Sequence, residues 1–223
     1  MVIFRSYRLI IWIFFLSCLI ISKHQEIHEY EKQFEQDRRL EEFRCMNLMT
    51  YEKQGLSQLF KEQYEKIFRA MKKSPIRTSD KKRIRYENSW GEARTYGGER
   101  KHEGTDFVDT ENRRGEIPIF SISDGVVENI GWLPLGGYRI GIRSPEGVYF
   151  YYAHLYRYGN GIKEKKHIKA GQLLGYMGDS GYGEEGTIGQ FPVHLHLGIY
   201  IPDENGNDMS INPYYLIEKI YEN

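Results

Sequence analysis

The feature that most constrains the fold is a change in hydrophobic period near Ile84. Before this point, apolar residues recur every three or four positions among charged ones, which is the spacing of an amphipathic helix. After it, apolar and polar residues alternate in short runs that end in glycine-containing turns, which is typical of antiparallel strands. Residues 84–223 are therefore predicted to form a mostly β domain, either an antiparallel β-sandwich or an open barrel.

Several strands of this domain can be placed from the alternation. The pair Asp124-Gly125 predicts a tight hairpin between the first two strands, and residues 144–147 are expected to connect the next two. The predicted strands are 117–122, 126–130, 138–143, 148–154, 173–177 and 193–201.

The N-terminus carries an apolar run, 9–21, between Arg8 and Lys23. This run is shorter than the ~20 residues that span a bilayer comfortably, but residues 2–4 extend it if the arginines reach the membrane surface. No small-x-small cleavage site follows this run. Its absence favours an uncleaved membrane anchor formed by residues 1–22 rather than a cleaved signal peptide and secretion. Both the anchor and the signal peptide would export the chain, so the residues after this run are expected outside the cytoplasm. An uncleaved anchor would stay in the bacterial cell membrane. A buried core helix is the remaining alternative.

Residues 23–73 have the helical period, with a break expected at Gly55 and an end at Ser74-Pro75. We interpret 23–83 as a helical stalk or packing region with a linker, and binding of a protein partner through 23–73 is the alternative. The basic run 81–83 is expected to be a solvated loop.

Composition excludes some classes of function. Lysine plus arginine and aspartate plus glutamate number 31 each, so no bulk charge favours nucleic acid as a partner. The two cysteines, Cys18 in the apolar run and Cys45 in a polar helical stretch, indicate neither a disulfide framework nor a zinc-thiolate site.

Two histidines share one face of the last long strand. Side chains of a strand alternate, so His194 and His196 point the same way while Leu195 points to the other face. Far upstream, His102 and Asp106 are four residues apart, and Gly104 between them favours an extended segment over a helix. A catalytic zinc takes three protein ligands of these types and leaves one position to water, so the sequence contains the groups for such a site.

Three motifs carry histidines or a metal-binding carboxylate. In chain order they are His102-Glu103-Gly104-Thr105-Asp106, Tyr152-Ala153-His154-Leu155 and His194-Leu195-His196. Together and in this order they resemble the lysostaphin-type (LytM-type) zinc endopeptidases, which cut peptidoglycan cross-links. The segments 124–127, 136–138, 168–172 and 174–178 support the resemblance, which covers about residues 90–217.

The resemblance implies a site residue by residue. The zinc ligands fall on His102, Asp106 and His196, and the catalytic histidines fall on His154 and His194. A tyrosine that stabilises the transition state in relatives corresponds to Tyr96, although 94–98 is equally compatible with a packing turn. The implied fold is that of the duplicated hybrid motif, the cofactor is Zn²⁺, and the substrate is a peptide of bacterial cell-wall peptidoglycan.

Two other functions remain open at this stage. A non-catalytic relative would use the same groove to bind peptidoglycan or a partner protein, but such relatives usually lack one of the five positions that are filled here. A carbohydrate-binding sheet would not need His102 and Asp106 at their spacing. The loop 178–192 is longer than in many relatives, so it is expected to wall the cleft and, through Glu184 and Glu185, to make it more negative.

Overall fold

The computed structural model describes residues 58–203, 205–214 and 216–217, together with the single positions 23 and 25. The predicted anchor 1–22 and most of the predicted helical region before residue 58 lie outside the described residues. Among the helices that are described, none combines the length and apolarity needed to span a bilayer. The chain divides after Thr50, and every element below belongs to the unit Tyr51–Asn223.

The described elements are one helix and twelve strands. The helix α1 is Gln58–Ala70, and a 3-10 turn follows at Lys81–Arg83. The strands are β1 Ile84–Arg85, β2 Ala93–Arg94, β3 Arg100–Lys101, β4 Thr105–Asp109, β5 Pro118–Phe120, β6 Gly125–Leu133, β7 Gly137–Arg143, β8 Tyr149–Tyr158, β9 His167–Ile168, β10 Leu173–Met177, β11 His194–Pro202 and β12 Asp208–Ile211.

The predicted antiparallel β architecture is confirmed. Ten of these strands form one sheet in which every pairing is antiparallel. Seven of them follow the order β1-β4-β11-β8-β7-β6-β9, β12 pairs with the other part of β11, and β10 and β5 lie off this path. The sheet branches at β8: its first half pairs with β11 as far as Ala153, whereas from Leu155 onward it pairs with β10, which in turn pairs with β5. The short strands β2 and β3 form a separate pair.

Alternation along β11 separates the core from the site. Leu195, Leu197 and Ile199 are fully buried, and they alternate with His194 and His196 on the other face. The same pattern on β8 buries Phe150 and Tyr152 completely. Burying such apolar side chains stabilises the fold by ~1.5–3 kcal/mol each, which fixes the register and therefore the face on which the histidines lie.

The predicted hairpin at Asp124-Gly125 is wrong. β6 pairs with β7 and β9, whereas β5 pairs with β10. Gly125 does not adopt the positive φ that a two-residue hairpin turn of this kind needs. It begins β6, where a Cβ atom would lie 2.4 Å from the carbonyl oxygen of Arg143, so the glycine serves the close approach of β7. The predicted hairpin of 138–143 with 148–154 is confirmed by the pairing of β7 with β8.

Two predictions before residue 84 also change. The helix ends at Ala70 rather than at residue 73. The run 81–83 is a 3-10 turn rather than an irregular loop, and none of its residues is buried. The Arg83 guanidinium nevertheless forms a two-point ion pair with Asp109, whose side chain is fully buried.

The segment after α1 is attached to the sheet. Ile67, Met71 and Ile76 are buried, and the backbone N–H groups of Lys72 and Lys73 donate to the carbonyl oxygen of Ile122. This arrangement makes the end of α1 a packing element of the β domain. The domain boundary predicted at residue 84 stays a prediction.

Candidate metal centre and cleft

Three predicted ligands come together at the paired strands β4 and β11. Asp106 is the direct cross-strand partner of His196, and His102 lies just before β4. The Nε2 atom of His102 lies 2.9 Å from Nδ1 of His196, and each of these nitrogens lies 3.0 Å from Oδ1 of Asp106. The three donor atoms therefore form a nearly equilateral triangle.

The ring of His102 is oriented by a contact on its far side. Its Nδ1 lies 3.1 Å from the carbonyl oxygen of Ser89, which can only accept, so Nδ1 carries the proton. The Nε2 atom that faces Asp106 and His196 is then left with a free lone pair. Metal-binding histidines are typically oriented by such a hydrogen bond from the second ring nitrogen.

Gly104 makes room for the ring of His196. A Cβ atom at this position would lie 2.5 Å from Cε1 and 2.6 Å from Nε2 of His196, and 2.7 Å from the carbonyl oxygen of Leu197. No side chain fits there without moving the ring or the strand. The glycine in the motif 102–106 is thus a requirement of close packing between β4 and β11.

Asp106 remains a carboxylate in this cluster. Burial by itself would raise its pKa, but the close contacts of the carboxylate with the ring nitrogens of His102 and His196, together with the charge effect of His196 and His194, hold the pKa far below its usual range. Arg94 adds a positive charge, with Nη2 at 3.4 Å from Oδ2 of Asp106.

The cluster suits a divalent cation. Ligands 2.0–2.1 Å from a tetrahedral zinc are separated by about 3.3 Å, close to the observed separations. Two imidazoles and one carboxylate are a donor set typical of catalytic zinc sites, and the contact between two ring nitrogens needs either a proton or a cation to be favourable.

His154 and His194 lie beside this triangle, with their ring centroids 4.6 Å apart. In each ring Nδ1 lies 2.8 Å from a carbonyl oxygen, that of Ser180 for His154 and that of Pro192 for His194, so Nδ1 is the protonated nitrogen. The Nε2 atoms remain as acceptors, and that of His194 lies 3.9 Å from Oδ1 of Asp106. Burial lowers the pKa of both rings, most strongly that of His154, which keeps both neutral at pH 7.

The backbone at His154 is unusual for a strand residue. Its φ is 59°, in the left-handed region that non-glycine residues rarely adopt. The deviation falls where β8 exchanges β11 for β10 as its partner, and the N–H of His154 donates to the carbonyl oxygen of Gly136. Such backbone strain is concentrated at functional sites, where the surrounding fold holds it in place.

Tyr96 is not among the residues that line the cleft. Its ring is 46% exposed and stacks on Tyr182 at 4.2 Å, and its hydroxyl donates to the carbonyl oxygen of Tyr182. Tyr182 does line the cleft, and its hydroxyl accepts a hydrogen bond from Arg100 at 3.1 Å. The structure therefore places Tyr182 between the cleft and the predicted Tyr96, whose role stays a prediction.

The cleft has a volume of about 840 Å³. As expected, the loop 178–192 contributes to its wall: Tyr182 lines it and the Phe191 ring packs 4.6 Å from that of His154. Glu184 and Glu185 are not among the lining residues, so the negative charge expected from this loop is not found in the cleft. The charged lining residues are the basic Arg94, Arg100, Lys101 and Arg139 and the acidic Glu103, Asp106 and Asp208.

Sequence reasoning predicts that 149–152 chiefly pack in the sheet and that one face of this run could line a groove, but it missed Arg139. Tyr149 and Tyr151 had a signal, because they alternate with buried residues along β8 and so share one face of the strand. For Arg139 the sequence shows only a position in an alternating strand. This position does not predict that the side chain lines the cleft.

Comparison with known proteins gives one family. Residues 100–213, more than half of the chain, match Peptidase family M23. The L-Ala--D-Glu endopeptidase of Bacillus subtilis (strain 168) is 44% identical over 140 residues, which is 63% of this chain and 40% of that protein. Lysostaphin of Staphylococcus simulans is 35% identical over 83 residues, 36% of this chain and 16% of that protein.

A solved structure agrees with this assignment. The crystal structure of a lytM protein of Ruminococcus gnavus ATCC 29149, described as a glycyl-glycine endopeptidase, has a TM-score of 0.65 at 44% identity. It covers 72% of this chain and 64% of that one. The chain spans less than half the length of the Bacillus and Staphylococcus relatives, so the match concerns their shared peptidase region.

Proposed function

The chain belongs to peptidase family M23, and on that premise we propose that it is a zinc-dependent endopeptidase that hydrolyses peptide bonds in bacterial peptidoglycan. The observation that carries the proposal is the presence of two different sets of groups in one cleft. One set has three converging donor atoms and the other has two imidazoles that keep Nε2 as a proton acceptor.

The three converging groups are proposed to hold zinc. When bound by His102, Asp106 and His196, a zinc ion supplies a Lewis acid that polarises the scissile carbonyl and lowers the pKa of a water molecule toward ~7. Asp106 supplies a negative charge to this site, because its carboxyl group stays ionised.

The second pair moves protons. The attacking water gives a proton to Nε2 of either His154 or His194, because Nδ1 of each ring already carries a proton and donates it to a carbonyl oxygen. The same proton then passes to the nitrogen of the leaving amine as the peptide bond breaks. The other ring, whose Nε2 is likewise an acceptor, orients the attacking water.

We propose the bond between L-Ala and D-Glu as the one that is cleaved. The support is the 44% identity to the Bacillus subtilis enzyme of that name, together with Arg139, a cleft-lining cation that has no ion pair among the described residues and can pair with an acidic substrate. A glycyl-glycine bond, named for the Ruminococcus gnavus protein, is the second candidate.

The test is digestion of purified peptidoglycan by the zinc-loaded full chain, with mass spectrometry of the released fragments. We expect fragments with new termini at L-Ala and D-Glu, and none from the double variant His154→Ala/His194→Ala. Binding of zinc and peptidoglycan without any fragment from the wild type would favour the non-catalytic alternative, in which the cleft only binds its ligand.

We also propose that residues 1–22 anchor the chain in the bacterial cell membrane with the peptidase domain on the outer side, and that the part of 23–73 that does not pack against the β domain binds a protein partner. The support is the apolar run between Arg8 and Lys23. Membrane fractionation and protease accessibility in whole cells test the anchor, and recovery of the full-length chain in the culture medium would favour secretion.

A further inference from the structure

Arg139 lies on the floor of the cleft, two strands away from the proposed metal site. Ala153 on β8 is the cross-strand partner of His196, and Arg139 on β7 lies opposite this part of β8, between Tyr138 and Ile140. All three side chains, those of His196, Ala153 and Arg139, line the same cleft. Neighbouring strands are ~4.8 Å apart, so the backbone of Arg139 is ~10 Å from that of His196.

Other arginines of this region have identified partners. Arg94 contacts Glu92 and Asp106, and Arg100 donates to the Tyr96 carbonyl and the Tyr182 hydroxyl. Arg143, on the same strand as Arg139, forms ion pairs with Glu128 and Asp208.

The Arg139 guanidinium differs from them. Its Nη1 is buried and makes no hydrogen bond within the described part of the chain. A buried, charged donor without an acceptor is costly and is rarely retained unless a ligand completes it. The side chain as a whole lines the cleft, so a rotation of the guanidinium would bring this donor to an acceptor of the substrate.

The surroundings of Arg139 suit a carboxylate. Its charge acts on the nearby hydroxyls of Tyr149 and Tyr151, which line the same part of the cleft. Burial raises the pKa of Tyr151 to about 12, so this hydroxyl stays protonated and can donate. The cleft has three anionic lining residues, and each has another contact: Asp208 accepts two hydrogen bonds from Arg143, Asp106 belongs to the proposed metal cluster, and Glu103 accepts one from the Tyr200 hydroxyl at 3.4 Å.

We propose that Arg139 binds a free carboxylate of the substrate peptide and makes the cleft selective for acidic peptides over neutral ones such as glycine bridges. This inference rests on the proposed function and identifies the residue that sets its substrate class. An extended peptide advances ~3.3 Å per residue, so ~10 Å corresponds to about three residues. Since the arginine side chain covers part of this distance, the carboxylate belongs one or two residues from the scissile bond.

The experiment uses two peptides that contain the L-Ala–D-Glu bond and differ in one group. The first keeps the free carboxylate of D-Glu, and the second carries a carboxamide in its place. Cleavage and binding of both are measured with the zinc-loaded full chain, with Arg139→Gln and Arg139→Lys, and with Arg157→Gln as the matched control. Arg157 is exposed, lies over the Tyr176 ring and is not part of the cleft.

The wild type and Arg157→Gln are expected to favour the acidic peptide. Loss of a hydrogen bond to a charged group corresponds to about a 10- to 100-fold decrease, so Arg139→Gln should lower kcat/KM and affinity for the acidic peptide by this factor. The carboxamide peptide should be unaffected, and Arg139→Lys should restore part of the preference. Thermal unfolding of each variant checks that the fold is retained.

Two outcomes overturn the inference. The first is that the wild type has the same kcat/KM and affinity for both peptides, and the second is that Arg139→Gln lowers these values equally for both. Failure of the proposed function is distinguished by the binding measurement. If the wild type cleaves neither peptide but binds the acidic one more tightly in an Arg139-dependent manner, the enzyme proposal fails while the carboxylate site is supported.

Discussion

The two imidazoles of β11 face different groups although they share one strand face. Nδ1 of His196 is directed at His102 and Asp106, whereas Nδ1 of His194 donates to the carbonyl oxygen of Pro192. His196 is thus arranged to bind a cation together with His102 and Asp106, whereas His194 keeps its Nε2 atom as a free hydrogen-bond acceptor. Substitution of each should therefore have a separate consequence.

The proposed ligand set predicts one zinc per chain. His196→Ala and Asp106→Ala each remove one of three protein ligands, and Gly104→Ala displaces the His196 ring by the contact described above. All three should lose zinc on dialysis, as measured by elemental analysis, because no cysteine among the described residues can replace the missing donor. The exposed His167 provides the control, and His167→Ala should retain the metal. Retention of one zinc by both ligand variants would refute the set.

His194→Ala should keep zinc and lose turnover. General acid–base groups contribute ~10²–10⁴-fold, so kcat should fall by about this factor while elemental analysis still finds the metal. His154→Ala should behave in the same way, and the double variant should cost less than the product of the two single losses, because the pair acts as a unit. Unchanged turnover in His194→Ala would leave the enzyme proposal in place but remove His194 from the mechanism.

At the level of elements, one ion pair attaches the 3-10 turn Lys81–Arg83 to β4. The buried Asp109 carboxylate accepts two hydrogen bonds from Arg83 and two from the backbone N–H groups of Glu111 and Arg113. Burial raises the pKa of Asp109, but these hydrogen bonds outweigh it and the pKa is lowered. Because the pKa is lower in the folded state, the pair contributes stability above pH ~4, the value for an unfolded aspartate, and loses it as the pH falls through the folded-state pKa.

Asp109→Asn should remove this contribution. Breaking a buried ion pair costs about 3 kcal/mol, so the free energy of unfolding at pH 7 should fall by roughly that amount. Between pH 5 and pH 2 the wild type should lose more stability than the variant. Urea unfolding in the presence of a chelator measures both effects without a contribution from metal release, and the exposed Glu164→Gln is the control. Parallel pH profiles for the wild type and Asp109→Asn would contradict the assignment.

At the scale of the whole molecule, the sequence predicted what is local and missed what depends on distant pairing. The strands 138–143 and 148–154 follow from alternation and a four-residue turn, and their pairing is confirmed. The contact of Asp106 with His196 joins residues 90 positions apart, so it was accessible only through a motif whose members are scattered along the chain. The branching of the sheet at β8 had no local signal, and neither the positive φ of His154 nor the place of Arg139 could be deduced without it.

The same limit applies to the region before residue 84. The helical period predicted a stalk or a packing element, and the domain was expected to begin at 84. The structure shows that Ile67, Met71 and Ile76 are buried, and that Lys72, Lys73 and Pro75 hydrogen bond to the backbone at Ile122 and Phe120. These contacts belong to the β domain, so we expect its stability to depend on residues well before 84.

Two truncated chains test this expectation. Burial of an isoleucine or methionine side chain stabilises the fold by ~1.5–3 kcal/mol, so loss of three removes roughly 5–9 kcal/mol, an upper estimate comparable with the whole stability of a domain. A chain that begins at residue 77 should therefore unfold or aggregate, whereas one that begins at residue 51 should keep a cooperative thermal transition and bind one zinc. Circular dichroism melts and elemental analysis of both chains measure the difference. A folded, zinc-loaded and active chain from residue 77 would show that α1 is dispensable and would support the predicted boundary near residue 84.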